Sequence, residues 1–267
     1  MGDADNRRPG LRSHFEVNFV PDHVAALHSC NLEAKSSSAP MILPTILAHR
    51  GNLDGPDHRR ENTVESYHEA LRSGFGLEID VRREAGGVFY ISHDPTANRS
   101  DLALKHFEPQ FRTYRNSTIA INVKELGYEA ELAQLIVDGA FGDQAFLFDC
   151  ELLEPDTPGR TQRMIRSTPG FSGVRLASRL SDRNEPLQQA LAISAEIVWA
   201  DEFDGFWLTA EHVRAVQRAG RRFHVISPEL HGFSEDQRLC RWADFKKWGV
   251  DAVCTDFAAE ARKYFHG

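Results

Sequence analysis

Residues 45–81 of this chain, TILAHRGNLDGPDHRRENTVESYHEALRSGFGLEIDV, decide which fold we expect for the whole. The stretch begins with a short apolar run, Thr45–Ala48, and ends with a second one, Leu77–Val81. Between them, Thr63–Ser73 places apolar side chains at the three- and four-residue spacing of an amphipathic helix. A strand, a helix and a second strand in this order are typical of a parallel βαβ unit.

The same alternation of strands and helices continues to the end of the chain. The further pairs that we predict are Thr118–Val123 with Tyr128–Gly139, Ala145–Cys150 with Arg160–Ser167, Val174–Ala177 with Pro186–Ser194, Glu196–Ala200 with Thr209–Ala219, Phe223–Ile226 with Glu235–Trp248, and Ala252–Asp256 with Ala258–Phe265. The run Val88–Ser92 is interpreted as a hairpin return of the second strand. Eight main strands favour an α/β fold, a single (β/α)8 TIM barrel over 41–267. A doubly wound open sheet is the alternative.

Composition limits the class of protein. Of 267 residues, 41% are hydrophobic, and 39 acidic against 31 basic side chains give a net charge of −8. The apolar content excludes a disordered chain. Because no basic excess is available to neutralise phosphates, nucleic acid is not expected as a partner. No run approaches the roughly 18 apolar residues of a membrane span.

The first 40 residues differ from the rest. A mixed-charge start leads to a helical candidate, Pro21–Ala34, and then to a linker-like SSSAP at 36–40. We interpret 1–40 as a short N-terminal extension that packs on the barrel. The start has no apolar run of the secretory type, and the four cysteines form no CxxC pair. We therefore expect reduced thiols and a cytoplasmic location.

Polar side chains stand where the predicted strands end, and in a parallel barrel these ends meet at one mouth. They are His49, Arg50, Glu78, Asp80, His93, Asn122, Lys124, Asp149, Glu151, Trp199, Asp201 and Asp256. Side chains alternate with period two along a strand, so Glu78 and Asp80 share a face, as do Asn122 and Lys124. Two carboxylates in an enclosed site either protonate or bind a metal. Oxygen ligands suit Mg²⁺ or Ca²⁺ better than zinc, with Mn²⁺ as a third candidate cofactor.

Several short motifs occur in a fixed order: His49-Arg50-Gly51, Glu61-Asn62-Thr63, Glu78-Ile79-Asp80 and His93-Asp94, with WGVDAVCTDF at 248–257. Together they resemble the glycerophosphodiester phosphodiesterase family, from about Leu43 to Phe265. The resemblance implies a barrel phosphodiesterase that depends on a divalent metal. It also implies that His49 and His93 are the catalytic pair of histidines and that Glu78 and Asp80 bind the metal. Arg50 and Lys124 match the cations that contact phosphate, and Glu61 matches an acidic residue near the site. Which histidine is the acid and which the base is left open.

One position departs from the family's pattern. The residue two before the lysine is usually a glutamate that binds the metal, and here it is Asn122. An amide oxygen ligates Mg²⁺ or Ca²⁺ without adding charge. Either the metal binds more weakly through Asn122, or a carboxylate of Asp149, Glu151 or Asp201 completes the shell, or catalysis is lost. The ligand set that we predict is Glu78, Asp80, Asn122 and Glu151.

Two further residues are weaker candidates for substrate contacts. Arg175, on the fifth strand, would contact phosphate or a hydroxyl, unless it is a structural arginine paired with Glu151. Trp199, at the end of the sixth strand, would form a platform for a sugar or glycerol moiety, unless it belongs to the core at the barrel rim.

The expected activity is hydrolysis of a small soluble phosphodiester, either a glycerophosphodiester or a sugar phosphodiester of the agrocinopine kind. One alternative is a headgroup phosphodiesterase of the phospholipase D type, against which the net charge of −8 argues. The other is a catalytically inactive barrel that binds phosphorylated ligands. Direct hydrolysis or a cyclic phosphate product, and the oligomeric state, are left open.

Overall fold

The architecture is that of a computed structural model, which describes residues 43–83, 86–97, 100–139, 141–171 and 173–267. The predicted N-terminal extension, 1–40, lies outside these residues. Strands of the described chain are β1 Thr45–His49, β2 Gly76–Arg83, β3 Phe89–Ile91, β4 Ile119–Val123, β5 Ala145–Phe148, β6 Arg175–Leu180, β7 Ile197–Ala200, β8 Arg222–Ile226 and β9 Ala252–Thr255.

Eight of these strands form a closed parallel barrel. Their order is β1-β9-β8-β7-β6-β5-β4-β2, and a parallel pairing of β1 with β2 closes the ring. β3 pairs antiparallel with β2 outside the ring, as the predicted hairpin return does. The TIM barrel is therefore confirmed, and the open sheet is wrong. In such a barrel the loops after the strands form the mouth where functional side chains meet.

The helices lie between successive strands, with the bounds α1 Val64–Arg72, α2 Glu108–Thr113, α3 Glu129–Asp138, α4 Cys150–Leu153, α5 Arg160–Ser167, α6 Leu187–Ala192, α7 Ala210–Arg218, α8 Glu235–Trp248 and α9 Ala258–His266. Short 3₁₀ turns cover Leu104–His106 and Pro228–His231. Local sequence explains where several helices begin. Thr63 accepts a hydrogen bond from the backbone N–H of Ser66 at the start of α1, and Ser234 forms a capping box with Gln237 at the start of α8. Within the described part of the chain, none of the helices has the length and apolar character needed to cross a bilayer.

Two apolar layers hold the barrel together. The outer layer joins the strands to the surrounding helices. The inner layer contains only strand residues, so it fills the barrel itself: Leu47, Ala120, Phe146, Phe148, Ala177, Ile197, Trp199, Ala252 and Cys254. Trp199 is only 1% exposed, and its ring centroid lies 4.2 Å from that of Phe148. Trp199 is thus part of the barrel core, which corrects its predicted role as a platform for substrate: a ring buried on all sides has no face left for a ligand.

Gly76 begins β2 where neighbouring strands approach closely. A β-carbon at this position would lie 2.5 Å from Cδ2 of Leu47 and 2.7 Å from the carbonyl oxygen of Thr118. Any larger residue would therefore push β2 away from its neighbours. The glycine keeps β2 in the register that brings Glu78 beside His49.

The cysteines of the described chain are in two states. Cys150 and Cys254 are buried free thiols, as predicted. Cys240 is disulfide-bonded, so the prediction of a reduced thiol is wrong for this residue.

Candidate functional site

His49 and Asp256 form the first element of the candidate site. Nδ1 of His49, the last residue of β1, lies 2.7 Å from Oδ1 of Asp256, which directly follows β9. The side-chain amide of Asn52 donates to the same carboxylate oxygen at 2.8 Å. Burial lowers the pKa of His49, but the hydrogen bond to Asp256 and the charge of Glu78 outweigh it, so that this pKa is raised. Asp256 therefore fixes the ring and leaves Nε2 facing the mouth.

Glu78 and Asp80 lie side by side on β2, on the face that points into the barrel. Oε2 of Glu78 is 3.8 Å from Nε2 of His49. Oε2 of Glu78 is buried and makes no hydrogen bond. Burial and the charge of Asp80 raise the pKa of Glu78 to about 7. Two buried carboxylates on one face are the arrangement that a cation would stabilise.

Two basic side chains converge on Asp80 from different strands. Nε of Arg50 lies 3.1 Å from Oδ2 of Asp80, and Nζ of Lys124 lies 2.9 Å from Oδ1. Burial raises the pKa of Asp80, but the positive charges of Lys124 and Arg50 lower it by more. The pKa of Asp80 is therefore below its usual value. Arg50 has a left-handed backbone, with φ at 52°, a conformation that a non-glycine residue adopts only when its surroundings enforce it. Glu61 contributes to this by holding the guanidinium at 3.3 Å.

His93 lies on the loop after β3, beside the end of β2. The backbone N–H of Ser92 donates to the carbonyl oxygen of Asp80 at 3.0 Å, which anchors this loop to the same strand end. Arg82 donates to the carbonyl oxygen of His93 at 2.9 Å. The side chain of His93 is 46% exposed, and its Nδ1 lies 3.1 Å from Oδ1 of Asp94. The loop that carries His93 is thus bonded to the backbone of Asp80, while the imidazole of His93 is exposed to solvent.

Asn122 occupies the position on β4 that pairs in register with Asp80. Because the two strands are adjacent and parallel, the two side chains share the inner face of the barrel. Around this point, His49, Arg50 and Lys124 pair with four carboxylates, those of Glu61, Glu78, Asp80 and Asp256. In the described residues, no cluster of three or more histidine, cysteine or acidic side chains could hold a metal ion. The donors that remain for one are the carboxylates of Glu78 and Asp80 and the amide oxygen of Asn122, and oxygen ligands of this kind suit a divalent cation.

The structure does not bring Glu151 to these donors. Glu151 lies in α4, and its Oε1 accepts the backbone N–H of Arg179 at 3.2 Å. Burial raises the pKa of Glu151 to about 7, and the charges that act on it are those of Arg179 and Asp149. Its predicted position beside Glu78 and Asp80 is corrected, because the chain turns into α4 directly after β5 and carries Glu151 towards β6.

Arg179 is a buried cation that sequence reasoning missed. Its guanidinium contacts three carboxylates: Asp149, Glu185 at 2.9 Å and Asp201 at 3.0 Å. The charges of these acids raise the pKa of Arg179 against the effect of burial. Asp149 and Asp201, which were considered as alternative metal ligands, are thereby engaged by Arg179. The predicted strand Val174–Ala177 ends two residues before Arg179, so the sequence does not predict a strand at this arginine.

Arg175 lies at the opposite end of the barrel from His49. It is the first residue of β6, and its Nε donates to the carbonyl oxygen of Ala145, the first residue of β5, at 3.3 Å. Its predicted contact with substrate is corrected, because β6 runs Arg175–Leu180 and not Val174–Ala177. The arginine at the mouth end of this strand is Arg179.

His231 and Glu229 also reach the mouth, and the sequence did not predict the contacts of either. Nε2 of His231 pairs with Oδ1 of Asp201. Glu229 accepts hydrogen bonds from Thr255 Oγ1 and from the backbone N–H of Asp256. The sequence indicated only that Ser227-Pro228-Glu229, which follows β8, lies near the pocket. The contacts themselves could not be predicted, because the partners of these side chains come from other strands.

Comparisons with solved structures support the fold. A protein from Galdieria sulphuraria, assigned as a glycerophosphodiester phosphodiesterase, matches with a TM-score of 0.66 at 17% identity, over 86% of this chain and 100% of that one. A glycerophosphoryl diester phosphodiesterase from Parabacteroides distasonis matches with a TM-score of 0.62 at 17% identity, over 85% and 88% of the two chains. No family model matches the sequence, and no curated protein does. At these identities the likeness concerns the fold, and the neighbours belong to the family that the motifs resemble.

Proposed function

We propose that the protein is a metal-dependent phosphodiesterase that hydrolyses a small phosphodiester by acid/base catalysis with two histidines. The observation that carries the proposal is the convergence of Arg50 and Lys124 on Asp80, next to His49. Their nitrogen atoms lie 3.1 and 2.9 Å from the two oxygens of that carboxylate. Two fixed cations beside an oriented imidazole form a site for an anion that needs proton transfer.

Arg50 and Lys124 would hold the non-bridging oxygens of the phosphate. The guanidinium presents a planar fork of donors, whereas the ammonium group acts as a point charge. Both are held by Asp80, so they need little reordering when an anion arrives. Glu61 limits the movement of Arg50 from the other side.

His49 and His93 would move the protons. Asp256 orients His49 with Nε2 towards the mouth, and the surrounding carboxylates favour its protonated form. We therefore assign His49 as the acid that protonates the leaving oxygen, and His93 as the base that takes a proton from the attacking hydroxyl. Each step is worth about 10²–10⁴-fold in rate.

Glu78, Asp80 and Asn122 would hold the divalent cation. Its chemistry when bound is the stabilisation of negative charge on the phosphate. Asn122 adds an oxygen without charge, so this set binds Mg²⁺, Ca²⁺ or Mn²⁺ more weakly than three carboxylates would.

The substrate class is a small diester with a glycerol or sugar arm, and no partner other than this substrate is proposed. The acidic surroundings of the mouth argue against an anionic membrane surface as the site of action. A cytoplasmic location stays a prediction. The free thiols of Cys150 and Cys254 agree with it, and fractionation of the native cell is the measurement that decides the point.

The test is steady-state turnover of glycerophosphodiesters and sugar phosphodiesters with Mg²⁺, Mn²⁺ and Ca²⁺ titrated separately. We expect turnover that requires one of these ions and that falls by at least about 100-fold in His49→Ala and in His93→Ala. His68→Ala is the matched control, because His68 lies on the outer helix α1 and pairs with Tyr114. A protein that binds phosphodiesters without cleaving them would show the inactive barrel to be correct.

A further inference from the structure

We propose that His231, held by Asp201, forms a subsite that hydrogen-bonds a hydroxyl group on the alcohol arm of the diester. The inference rests on the proposed function and adds the specificity of its site. His231 lies in the 3₁₀ turn Pro228–His231 that follows β8, and its side chain is 18% exposed. The subsite therefore stands open at the mouth.

Asp201 fixes the imidazole of His231 in one orientation. Its Oδ1 pairs with Nε2 of His231, while its Oδ2 accepts from Nη2 of Arg179 at 3.0 Å. Both oxygens of this buried carboxylate are thus engaged. Among the described residues, Nδ1 of His231 has no hydrogen-bond partner. This nitrogen is the atom that remains for a ligand.

The 3₁₀ turn is tied to the same strand end as the reacting group His49. Glu229, two residues before His231, accepts from Thr255 and from the backbone N–H of Asp256 at 3.2 Å. Asp256 in turn holds His49. Glu229 therefore links the turn that carries His231 to Asp256, the residue that holds His49, at the mouth of the barrel. We accordingly place the alcohol arm of a phosphodiester bound at Arg50 on the side of His231.

The surroundings of His231 favour a neutral hydroxyl over an ammonium group. The imidazole packs against Phe203 at an interplanar angle of 50°, with 4.4 Å between ring centroids, and the guanidinium of Arg183 lies 4.2 Å from the centroid of the same ring. Because these neighbours cover Phe203, the ring cannot serve as a cation–π platform. Asp201 already pairs with Arg179 and with His231. The second imidazole nitrogen is a partner for a hydroxyl group.

The experiment compares binding of two ligands by calorimetry in Mg²⁺, with every protein carrying His49→Ala so that neither ligand is cleaved. Glycerophosphoglycerol has hydroxylated arms, whereas diethyl phosphate has the same phosphate without them. We expect the protein with His231 intact to prefer glycerophosphoglycerol and the additional change His231→Ala to reduce the ratio of the two affinities by about five- to tenfold, the effect of one hydrogen bond. His231→Gln, which keeps a donor and an acceptor, should restore part of the ratio.

His68→Ala is the control and should keep the wild-type ratio, with thermal melts to show that each variant is folded. Equal losses for both ligands would indicate a structural role and overturn the proposal, as would an unchanged ratio in His231→Ala. If no diester is cleaved, the proposed catalytic function fails while the ratio still tests the subsite. If diesters are cleaved without preference for hydroxylated arms, only the subsite fails.

Discussion

Nδ1 of His49 and Oδ1 of Asp256 lie 2.7 Å apart, although 207 positions separate the two residues in the chain. The contact exists because β1 pairs with β9, which brings the first and the last strand of the described chain together. The orientation of the imidazole therefore depends on the closure of the whole fold. His49 and Asp256, which orients its ring, come from opposite ends of the described chain.

Asp256→Asn should lower kcat by about 10²–10⁴-fold, because His49 loses the carboxylate that orients it and favours its protonated form. The measurement is turnover of the best diester as a function of pH, in which the limb that reports the acid should move to lower pH. Asp251→Asn is the matched control, since Asp251 lies just before β9 at the other end of that strand and bonds the backbone of Phe223. Equal activity of Asp256→Asn and wild type would show that the pair is not part of catalysis.

Asn122→Glu should tighten binding of the divalent cation by about tenfold or more, because a third carboxylate joins Glu78 and Asp80. Calorimetric titration with Mg²⁺, Ca²⁺ and Mn²⁺ measures the change. Asn116→Glu adds the same charge at an exposed position before β4 and should leave the affinity unaltered. No difference between the two variants would place the cation elsewhere.

Glu151→Gln should stabilise the protein at pH 8 and change little at pH 5. Burial raises the pKa of Glu151 from 4.5 to about 7 in the folded state, so the folded protein retains a proton that the unfolded chain releases. The free energy of unfolding of the wild-type protein therefore falls as the pH rises from about 4.5 to about 7. The total decrease is about 1–3 kcal/mol. Urea unfolding at both pH values measures it. A stability gain equal at both pH values, or weaker metal binding in the variant, would contradict this account of Glu151.

Arg179→Met should destabilise the fold by about 3–5 kcal/mol at pH 8, because Asp149, Glu185 and Asp201 stay buried without their cation. The loss should shrink at pH 5, where protonation relieves the repulsion. Arg175→Met, at the other end of the same strand, should cost less, since Arg175 is only half-buried and donates to a backbone carbonyl. Similar losses for the two variants would mean that the cluster around Arg179 stabilises little.

The features that could be predicted from sequence are those with a local cause. Glu78 and Asp80 share a face because side chains alternate along any strand, and they reach the mouth because every parallel strand of the barrel ends there. The barrel is predicted from the repeated alternation of strands and helices, and an error in the end of one strand does not change that prediction. The confirmed fold and the grouping of His49, Arg50, Asp80 and Lys124 depend on these rules.

The features that could not be predicted depend on partners far away in the chain. Ser178-Arg179 looks polar enough to end a strand, and only Asp149, Glu185 and Asp201 make a buried arginine stable there. The predicted strand Val174–Ala177 ends before Arg179, so Arg175 is the arginine that the sequence offers as a substrate contact on this strand.

The position of Trp199 could not be predicted from sequence either, because a large aromatic ring near a strand end is compatible with both a core and a binding surface. The register of β7 against β6 and β8, which the sequence does not state, places it in the core. Its neighbours Phe146 and Phe148 complete that layer of the barrel.

The central claim, that the mouth at His49 cleaves a phosphodiester, is tested most directly by ³¹P NMR of a glycerophosphodiester incubated with the protein and Mg²⁺. We predict that the diester resonance is replaced by that of a monoester, directly or through a cyclic phosphate with its own resonance, and that His49→Ala abolishes the change. A diester resonance that persists with the wild-type protein in Mg²⁺, Mn²⁺ and Ca²⁺, across glycerol and sugar diesters, would contradict the claim.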